Sequence, residues 1–194
     1  TNYRLNDGSI VNANLGEGTL TTQGQVLLNG TSDAQQVDVL ADSTLTLGGA
    51  QRLNQQADVT VDGRLVLGNG DQTIGTLEGG GRVDMNAYHL NVTGGGSFAG
   101  TLASSNGSSL ALQGATLEMA GGSSVSTESL QLANGRALSV GSGSQLSTGD
   151  ATVGAGSTLS LADDAVFRYQ SLGGGGTVDA GQFDNALASR VGGS

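Results

Sequence analysis

Residues 44–68 read TLTLGGAQRLNQQADVTVDGRLVLG, and this stretch holds the pattern that decides the fold. It contains three short runs that alternate a polar with an aliphatic residue: Thr44–Leu47, Asp58–Val61 and Arg64–Leu67. Strict alternation sends one side of each run into a core and the other into solvent, as in a β-strand. Gly48, Asp62-Gly63 and Gly68 follow the runs and are residues typical of tight turns. The stretch therefore predicts short strands separated by turns.

The same pattern recurs along the whole chain. Each copy of the recurrent run is marked by a leading leucine, and these are Leu20, Leu45, Leu65, Leu90, Leu110, Leu130 and Leu159. The widest gap holds an extra copy at 137–141, and second alternating runs lie between the copies at 37–40, 58–61, 83–85, 115–119 and 151–153. Two or three strands in each unit of about 20–25 residues predict a β-solenoid, in which every strand pairs with its counterpart one coil away, at about 4.8 Å. We therefore predict a single all-β domain over residues 1–194, a parallel β-helix of roughly nine coils.

The composition agrees with this architecture. The chain has 35 Gly and neither Pro, Cys nor Trp, and all seven of its basic residues are Arg. Proline cannot donate the backbone hydrogen bond that a central strand requires, so its absence suits uninterrupted ladders. Glycine serves the turns, and a narrow aliphatic core leaves little room for aromatic side chains.

An antiparallel sandwich or barrel is the competing fold. Asn29-Gly30 and Asp62-Gly63 are dipeptides that favour hairpin turns. Recurrence at about 20–25 residues, rather than at the length of one strand, favours the solenoid. Helical signals are weak, and residues 33–37 and 184–190 each predict no more than about one turn.

Charge and composition exclude several classes of function. The formal net charge of -10, without lysine, disfavours binding to a phosphate backbone, so no nucleic-acid partner is expected. Without cysteine there is no disulfide framework, thiolate nucleophile or cysteine zinc site. No apolar run reaches the roughly 18 residues that a membrane-spanning helix needs, so no membrane insertion is expected.

One longer stretch resembles a known family. Residues 75–102 read GTLEGGGRVDMNAYHLNVTGGGSFAGTL, in which glycines frame alternating runs and a final F-x-G-x-L follows. This pattern resembles a passenger repeat of bacterial autotransporters, and related patterns occur in large two-partner-secreted adhesins. Residues 171–181, SLGGGGTVDAG, repeat its first half.

The resemblance implies a right-handed parallel β-helix, displayed on or released from the outer surface of a Gram-negative bacterium. The sequence carries neither a translocator barrel nor an amino-terminal secretion domain, so we expect a segment excised from a longer passenger. The resemblance does not decide between the autotransporter and the two-partner secretion class. A cysteine-free chain also suits passage through an oxidising periplasm.

His89, the only histidine, is the first candidate for catalysis. Asp84 and Tyr88 are near it in sequence, but no G-x-S-x-G nucleophile motif is present. His89 precedes a repeat leucine, which indicates an ordinary coil position. Other copies carry Thr19, Thr44 and Ser109 at that place. No catalytic residue is therefore predicted.

Seven carboxylates are candidates for paired acids or calcium ligands: Asp42, Asp58, Asp62, Asp71, Asp84, Asp163 and Asp164. The calcium-binding nonapeptide pattern is incomplete at 79–84 and displaced by one residue at 173–179, and no tandem run exists. Turn capping and solvation are the plainer roles for these side chains. We predict no metal site and no cofactor.

Three further patterns have mainly structural interpretations. Arg64 and Arg82 are expected on one face, where β-helix enzymes that cleave acidic polysaccharides place arginine, but such enzymes also cluster lysine. The glycine stretches at 79–81, 94–96 and 173–176 lack the phosphate-loop pattern and are predicted to form coil corners. The glycosylation acceptor pattern occurs at Asn29, Asn91 and Asn106, as expected by chance in such a chain.

The sequence thus predicts a non-enzymatic adhesin or self-association segment, or the stalk of one, at a bacterial surface or secreted from it. Repeated polar side chains along one face would bind identical passenger molecules, or surface glycans or proteins, through many weak contacts. A polysaccharide-active β-helix enzyme is the first alternative, because hydrolysis of a sugar requires only two carboxylates. An inert scaffold for a functional domain elsewhere in the parent chain is the second.

Overall fold

A computed structural model describes residues 1–114 and 116–180, and in these ranges every regular element is a β-strand. No helix that could cross a membrane occurs in them. Ala115 and residues 184–190, for which strand and turn structure were predicted, lie outside the described residues. The strands are β1 (Asn2–Leu5), β2 (Ser9–Val11), β3 (Thr19–Thr22), β4 (Gln25–Leu28), β5 (Gln36–Val39), β6 (Thr44–Leu47), β7 (Asp58–Val61), β8 (Arg64–Leu67), β9 (Gln72–Glu78), β10 (Arg82–Asn86), β11 (His89–Phe98), β12 (Thr101–Ser104), β13 (Ser109–Leu112), β14 (Leu117–Met119), β15 (Ser124–Leu132), β16 (Ala137–Val140), β17 (Gln145–Val153), β18 (Thr158–Leu161), β19 (Val166–Gly173) and β20 (Thr177–Ala180).

The strands form three stacks of parallel ladders around one core, which we name faces 1, 2 and 3. Face 1 contains β1, β3, β5, β7, the ends of β9 and β11, β14, β16, β18 and β20. Face 2 contains β2, β4, β6, β8, β10, β12 and the first halves of β15, β17 and β19. Face 3 contains the starts of β9 and β11, β13 and the second halves of β15, β17 and β19. All pairings among these strands are parallel, so the predicted all-β solenoid of about nine turns is confirmed.

Coil length varies along the rod. On face 1, Leu20 pairs with Val37 and Val37 pairs with Val59, so the second of these coils is longer than the first. Later coils are regular, because Leu117 pairs with Leu138 and Leu138 with Leu159, two equal steps along the chain. At about 4.8 Å per step, nine steps give a rod about 43 Å long.

The series of leading leucines does not stay on one face. Leu45 pairs with Leu65 on face 2, whereas Leu90, Leu110 and Leu130 stack on face 3. Leu20 and Leu159 belong to face 1. Leucines separated by the shorter gaps therefore stack in adjacent coils of one face, whereas leucines separated by the longer gaps lie on different faces.

The core consists of inward side chains from all three faces. Most are Leu and Val, and the largest is Phe98, which is 1% exposed. Glycine lies beside its ring, since a Cβ added at Gly100 would come within 2.8 Å of the Phe98 Cζ. Gly96 has a φ of 119°, and a Cβ there would lie 2.3 Å from the carbonyl oxygen of Leu77. Among the described residues, Phe98 is the only fully buried aromatic side chain, and the other core positions are mainly aliphatic.

A buried serine just before a strand is a recurrent corner device. Its backbone N–H closes a tight turn, as from Ser144 to the carbonyl of Gly141 at 3.1 Å. Its hydroxyl then joins coils: Ser123 Oγ donates to Ser144 Oγ at 3.0 Å, and Ser144 Oγ donates to the Ala120 carbonyl at 3.1 Å. Buried serines at such positions are Ser43, Ser108, Ser123, Ser144 and Ser157.

The weak helical signal at residues 33–37 was wrong. Residues 33–35 form an irregular corner, and Gln36 and Val37 are the first residues of β5. The hydroxyl of Ser32 accepts the N–H of Ala34 at 3.3 Å, a local bond that replaces the first turn of a helix.

We expect Ser144→Ala to lower the free energy of unfolding by about 1–3 kcal/mol, because buried groups of the Ser123–Ala120 turn lose their partner. Urea denaturation followed by far-ultraviolet circular dichroism measures the change. Ser126→Ala is the matched control, since Ser126 is exposed on the neighbouring coil, and its change should stay within about 0.5 kcal/mol. Equal effects of the two variants would contradict a coil-joining role for Ser144.

Candidate binding surface

The outward positions of the three faces carry different charges. On face 1 the acids outnumber the single Arg4 by five to one: Asp38, Asp58, Glu78, Glu118 and Asp179. On face 2 three arginines oppose one acid: Arg64, Arg82 and Arg168 against Asp84. Face 3 carries Asp150. Formal charges are therefore -4 on face 1, +2 on face 2 and -1 on face 3, and the remaining described charges lie in turns and corners, which are mostly acidic.

The arginines of face 2 are organised around one carboxylate. Arg64 and Arg82 pair in adjacent coils, which confirms that they share a face. Arg64 Nε donates to Asp84 Oδ2 at 2.5 Å, and Arg82 Nε donates to Oδ1 of the same carboxylate at 2.7 Å. The Asp84 side chain is 9% exposed, while those of Arg64 and Arg82 are 53% and 49% exposed. The cluster thus presents two half-exposed guanidinium groups, with a net charge of +1, on a buried carboxylate.

His89 lies on face 3, and its neighbour one coil away is Ser109. Its Nδ1 is 2.5 Å from Ser109 Oγ, and its backbone N–H donates to Asp71 Oδ1 at 2.9 Å. Asp84 contacts the arginines of face 2 instead. Of the positions predicted as equivalent to His89, Thr19 and Thr44 lie on faces 1 and 2, and only Ser109 shares its column. Within residues 1–114 and 116–180, no carboxylate hydrogen-bonds to the ring of His89.

The candidate calcium ligands are spread over separate coils and corners. Asp58 Oδ1 accepts from Thr76 Oγ1 at 2.9 Å, and Asp62 Oδ1 accepts weakly from the N–H of Gly80 at 3.4 Å. Asp42 sits in an exposed turn at a φ of 61°. In the described part of the chain, no three acidic or histidine side chains are grouped so that they could hold a metal ion.

Asp164 shows how such a carboxylate serves a turn. Its Oδ2 accepts from Ser142 Oγ at 2.8 Å, one coil away. This bond, with a second from the N–H of Gly143, lowers the pKa of the Asp164 carboxyl from its usual value. Its neighbour Asp163 is exposed to solvent.

A polar groove at the corner between faces 2 and 3 was not predicted from the sequence. It has a volume of about 390 Å³, and its lining includes Ser104, Asn106, Ser126, Glu128, Asp150 and Gln170. Glu128 accepts the backbone N–H of Gly107, and Asp150 Oδ1 accepts from Ser171 Oγ at 2.5 Å. Glu128 lies directly before the alternating residues 129–132, at the point where β15 bends from face 2 to face 3.

The remaining patterns lie at structural positions. The glycines at 79–81 and 174–176 form corners as predicted, and Gly173 ends β19. Those at 94–96 belong to β11 and lie where this strand passes from face 3 to face 1. Asn29 donates to Asn12 Oδ1 in the coil before it at 2.9 Å, and Asn91 lies on face 3. Asn106, the third glycosylation acceptor pattern, borders the corner groove.

Comparison with known proteins adds no relative. No family model matches the chain, and neither a curated protein nor a solved structure matches it. The class that the fold defines is the parallel β-solenoid.

We expect Asp84→Ala to destabilise the chain by about 1–2 kcal/mol, because two adjacent guanidinium groups lose the buried carboxylate that separates their charges. The estimate is kept small because both arginines are half exposed and screened by water. Chemical denaturation measures the change. Glu78→Ala on face 1 removes an exposed carboxylate with no such partners and should change stability by less than about 0.5 kcal/mol. A neutral result for Asp84→Ala would show that Asp84 does not hold the two arginines together.

Proposed function

We propose that the chain is a non-enzymatic segment of an exported bacterial surface protein, of the autotransporter or two-partner-secreted kind. It acts as an adhesin or self-association module through repeated weak contacts along its faces. The observation that supports this function is that polar side chains recur at outward positions in each coil.

The outward columns are suited to such contacts. In one column of face 1, hydroxyl and carboxylate groups recur at each step of about 4.8 Å. From Thr21 to Asp179 it reads Thr21, Asp38, Thr60, Glu78, Ser97, Glu118, Ser139, Ser160 and Asp179. A ligand with its own repeat, such as a glycan or a second rod, meets many equivalent groups at once. Contacts that are individually weak then add through effective concentration.

Export is supported by the sequence. The repeat in residues 75–102 resembles autotransporter passengers, and the chain has no cysteine that could be trapped as a disulfide during secretion. Its net charge of -10 also keeps a rod soluble at a cell surface. We place the protein at the outer surface of a Gram-negative bacterium or in its medium.

Sedimentation velocity over a series of concentrations, with binding to bacterial and host cells and to a glycan array, tests this function. We expect concentration-dependent association or saturable binding, with a dissociation constant of about 1 μM or higher, because small interfaces that retain water bind weakly. A chain that stays monomeric at millimolar concentration and binds neither cells nor glycans would contradict the adhesive function. That result would favour an inert stalk or scaffold.

The corner groove supports one second candidate, a polysaccharide hydrolase. Glu128 and Asp150 both border the groove, and hydrolysis of a glycosidic bond requires a pair of carboxylates. Under this alternative the chain would release reducing ends from a polysaccharide, and Glu128→Gln or Asp150→Asn would abolish the release. Glu118→Gln, on another face, should leave it unchanged. No release from a broad polysaccharide panel would exclude the hydrolase.

A further inference from the structure

We propose that copies of this chain associate with face 2 of one rod against face 1 of the next. This inference rests on the proposed self-association and specifies which surfaces meet. Its basis is the opposite charge of the two faces and the apolar row that face 2 exposes.

Charge complementarity favours this pairing over any other. Face 2 is the only face of the described chain with a positive formal charge, +2, and face 1 is the most negative, at -4. Most turns are acidic, so a second copy of a chain with net charge -10 meets attraction only where face 2 is presented. Face 1 against face 1, or face 2 against face 2, would bring like charges together.

Face 2 also offers apolar surface beside its arginines. Ile10, Leu27, Thr46 and Val66 stack in one outward column of face 2, and Asp84 is the next residue of that column. Ile10 is 64% exposed, and Leu27 and Val66 are partly exposed. Burial of this apolar row against a second copy stabilises the contact. The half-exposed arginines beside it orient the second copy by hydrogen bonds to its carboxylates.

The two faces have matching repeats. Both are stacks of strands about 4.8 Å apart, so rods that lie side by side bring the columns of one face onto the columns of the other. A face about 40 Å long and about four residues wide covers about 500 Å², which gives about 1,000 Å² buried in total. That area is at the lower end for specific interfaces, so a single contact is expected to be weak and reversible.

The contact is also asymmetric. Because two different faces meet, each bound rod still presents one free face 1 and one free face 2. A heterologous contact of this kind propagates unless it closes into a ring. The assembly should therefore grow with concentration instead of stopping at a dimer.

Two charge-changed variants test the pairing. Variant A carries Arg64→Glu, Arg82→Glu, Arg168→Glu and Asp84→Asn, and the last change avoids a buried carboxylate against the new acids. Variant B carries Asp58→Arg, Glu78→Arg and Glu118→Arg. By formal charge, A makes face 2 negative and B makes face 1 positive. In each variant alone, faces 1 and 2 then repel.

Sedimentation velocity and light scattering compare wild type, A, B and an equimolar mixture of A and B. We expect each variant alone to associate at least about tenfold more weakly than wild type, and the mixture to regain most of the association. The control changes net charge as B does, but at exposed positions outside the strands: Glu17→Arg, Asp33→Arg and Asp163→Arg. It should associate at least as well as wild type. Circular dichroism checks folding, and if A does not fold it is replaced by Arg64→Gln, Arg82→Gln, Arg168→Gln and Asp84→Asn, which leave face 2 without charge.

The outcomes separate the two proposals. If wild type associates and either variant associates equally well, or if the mixture of folded variants stays dissociated, the face assignment is overturned while self-association stands. If wild type itself remains monomeric at millimolar concentration, self-association and this pairing both fail.

Discussion

The structure depends on one constraint, the parallel backbone ladder between successive coils. Each strand of an inner coil is central, with a partner on both sides, so every peptide group in it has to donate and accept. This requirement excludes proline from the strands. It also fixes what lies next to each side chain, because a residue is stacked between its counterparts in the coils before and after it. Core ladders, corner serines and charged columns all follow from this stacking.

The ladder also limits how a coil adapts to its contents. A large ring cannot be accommodated by moving one strand, since the neighbours on both sides would lose hydrogen bonds. The chain instead places a residue without a side chain beside the ring, as at Gly100, where a Cβ would lie 2.8 Å from the Phe98 Cζ. Corners adapt differently, because the buried hydroxyl of Ser144 supplies donor and acceptor to groups that the ladder no longer reaches.

The sequence predicted the class of fold because alternation and turn residues are local signals. It did not assign strands to faces, because the three faces share one alternating pattern and coil length varies from one turn of the solenoid to the next. For the same reason His89 was matched with Thr19 and Thr44 on other faces. Arg64 and Asp84 lie one coil apart, and only the register between β8 and β10 brings their side chains into contact. The sequence therefore predicted that Arg64 and Arg82 share a face, but it did not predict their bonds to Asp84. No sequence pattern predicts a role for the groove acid Glu128, because the groove forms only where β15 bends at this residue from face 2 to face 3.

Stacking at about 4.8 Å also explains the order of charges within a face. Two like charges at that distance in water repel by about 0.9 kcal/mol, and by about half as much when a coil intervenes. Asp38, Glu78 and Glu118 occupy one column of face 1 in every second coil, separated by Thr60 and Ser97. Among the paired strand positions of the described chain, only Arg64 and Arg82 stack like charges in adjacent coils, and Asp84 bridges that pair. The acids of this face 1 column are therefore kept apart by uncharged residues. On face 2, Arg64 and Arg82 lie in adjacent coils, and Asp84 reduces their repulsion by binding both.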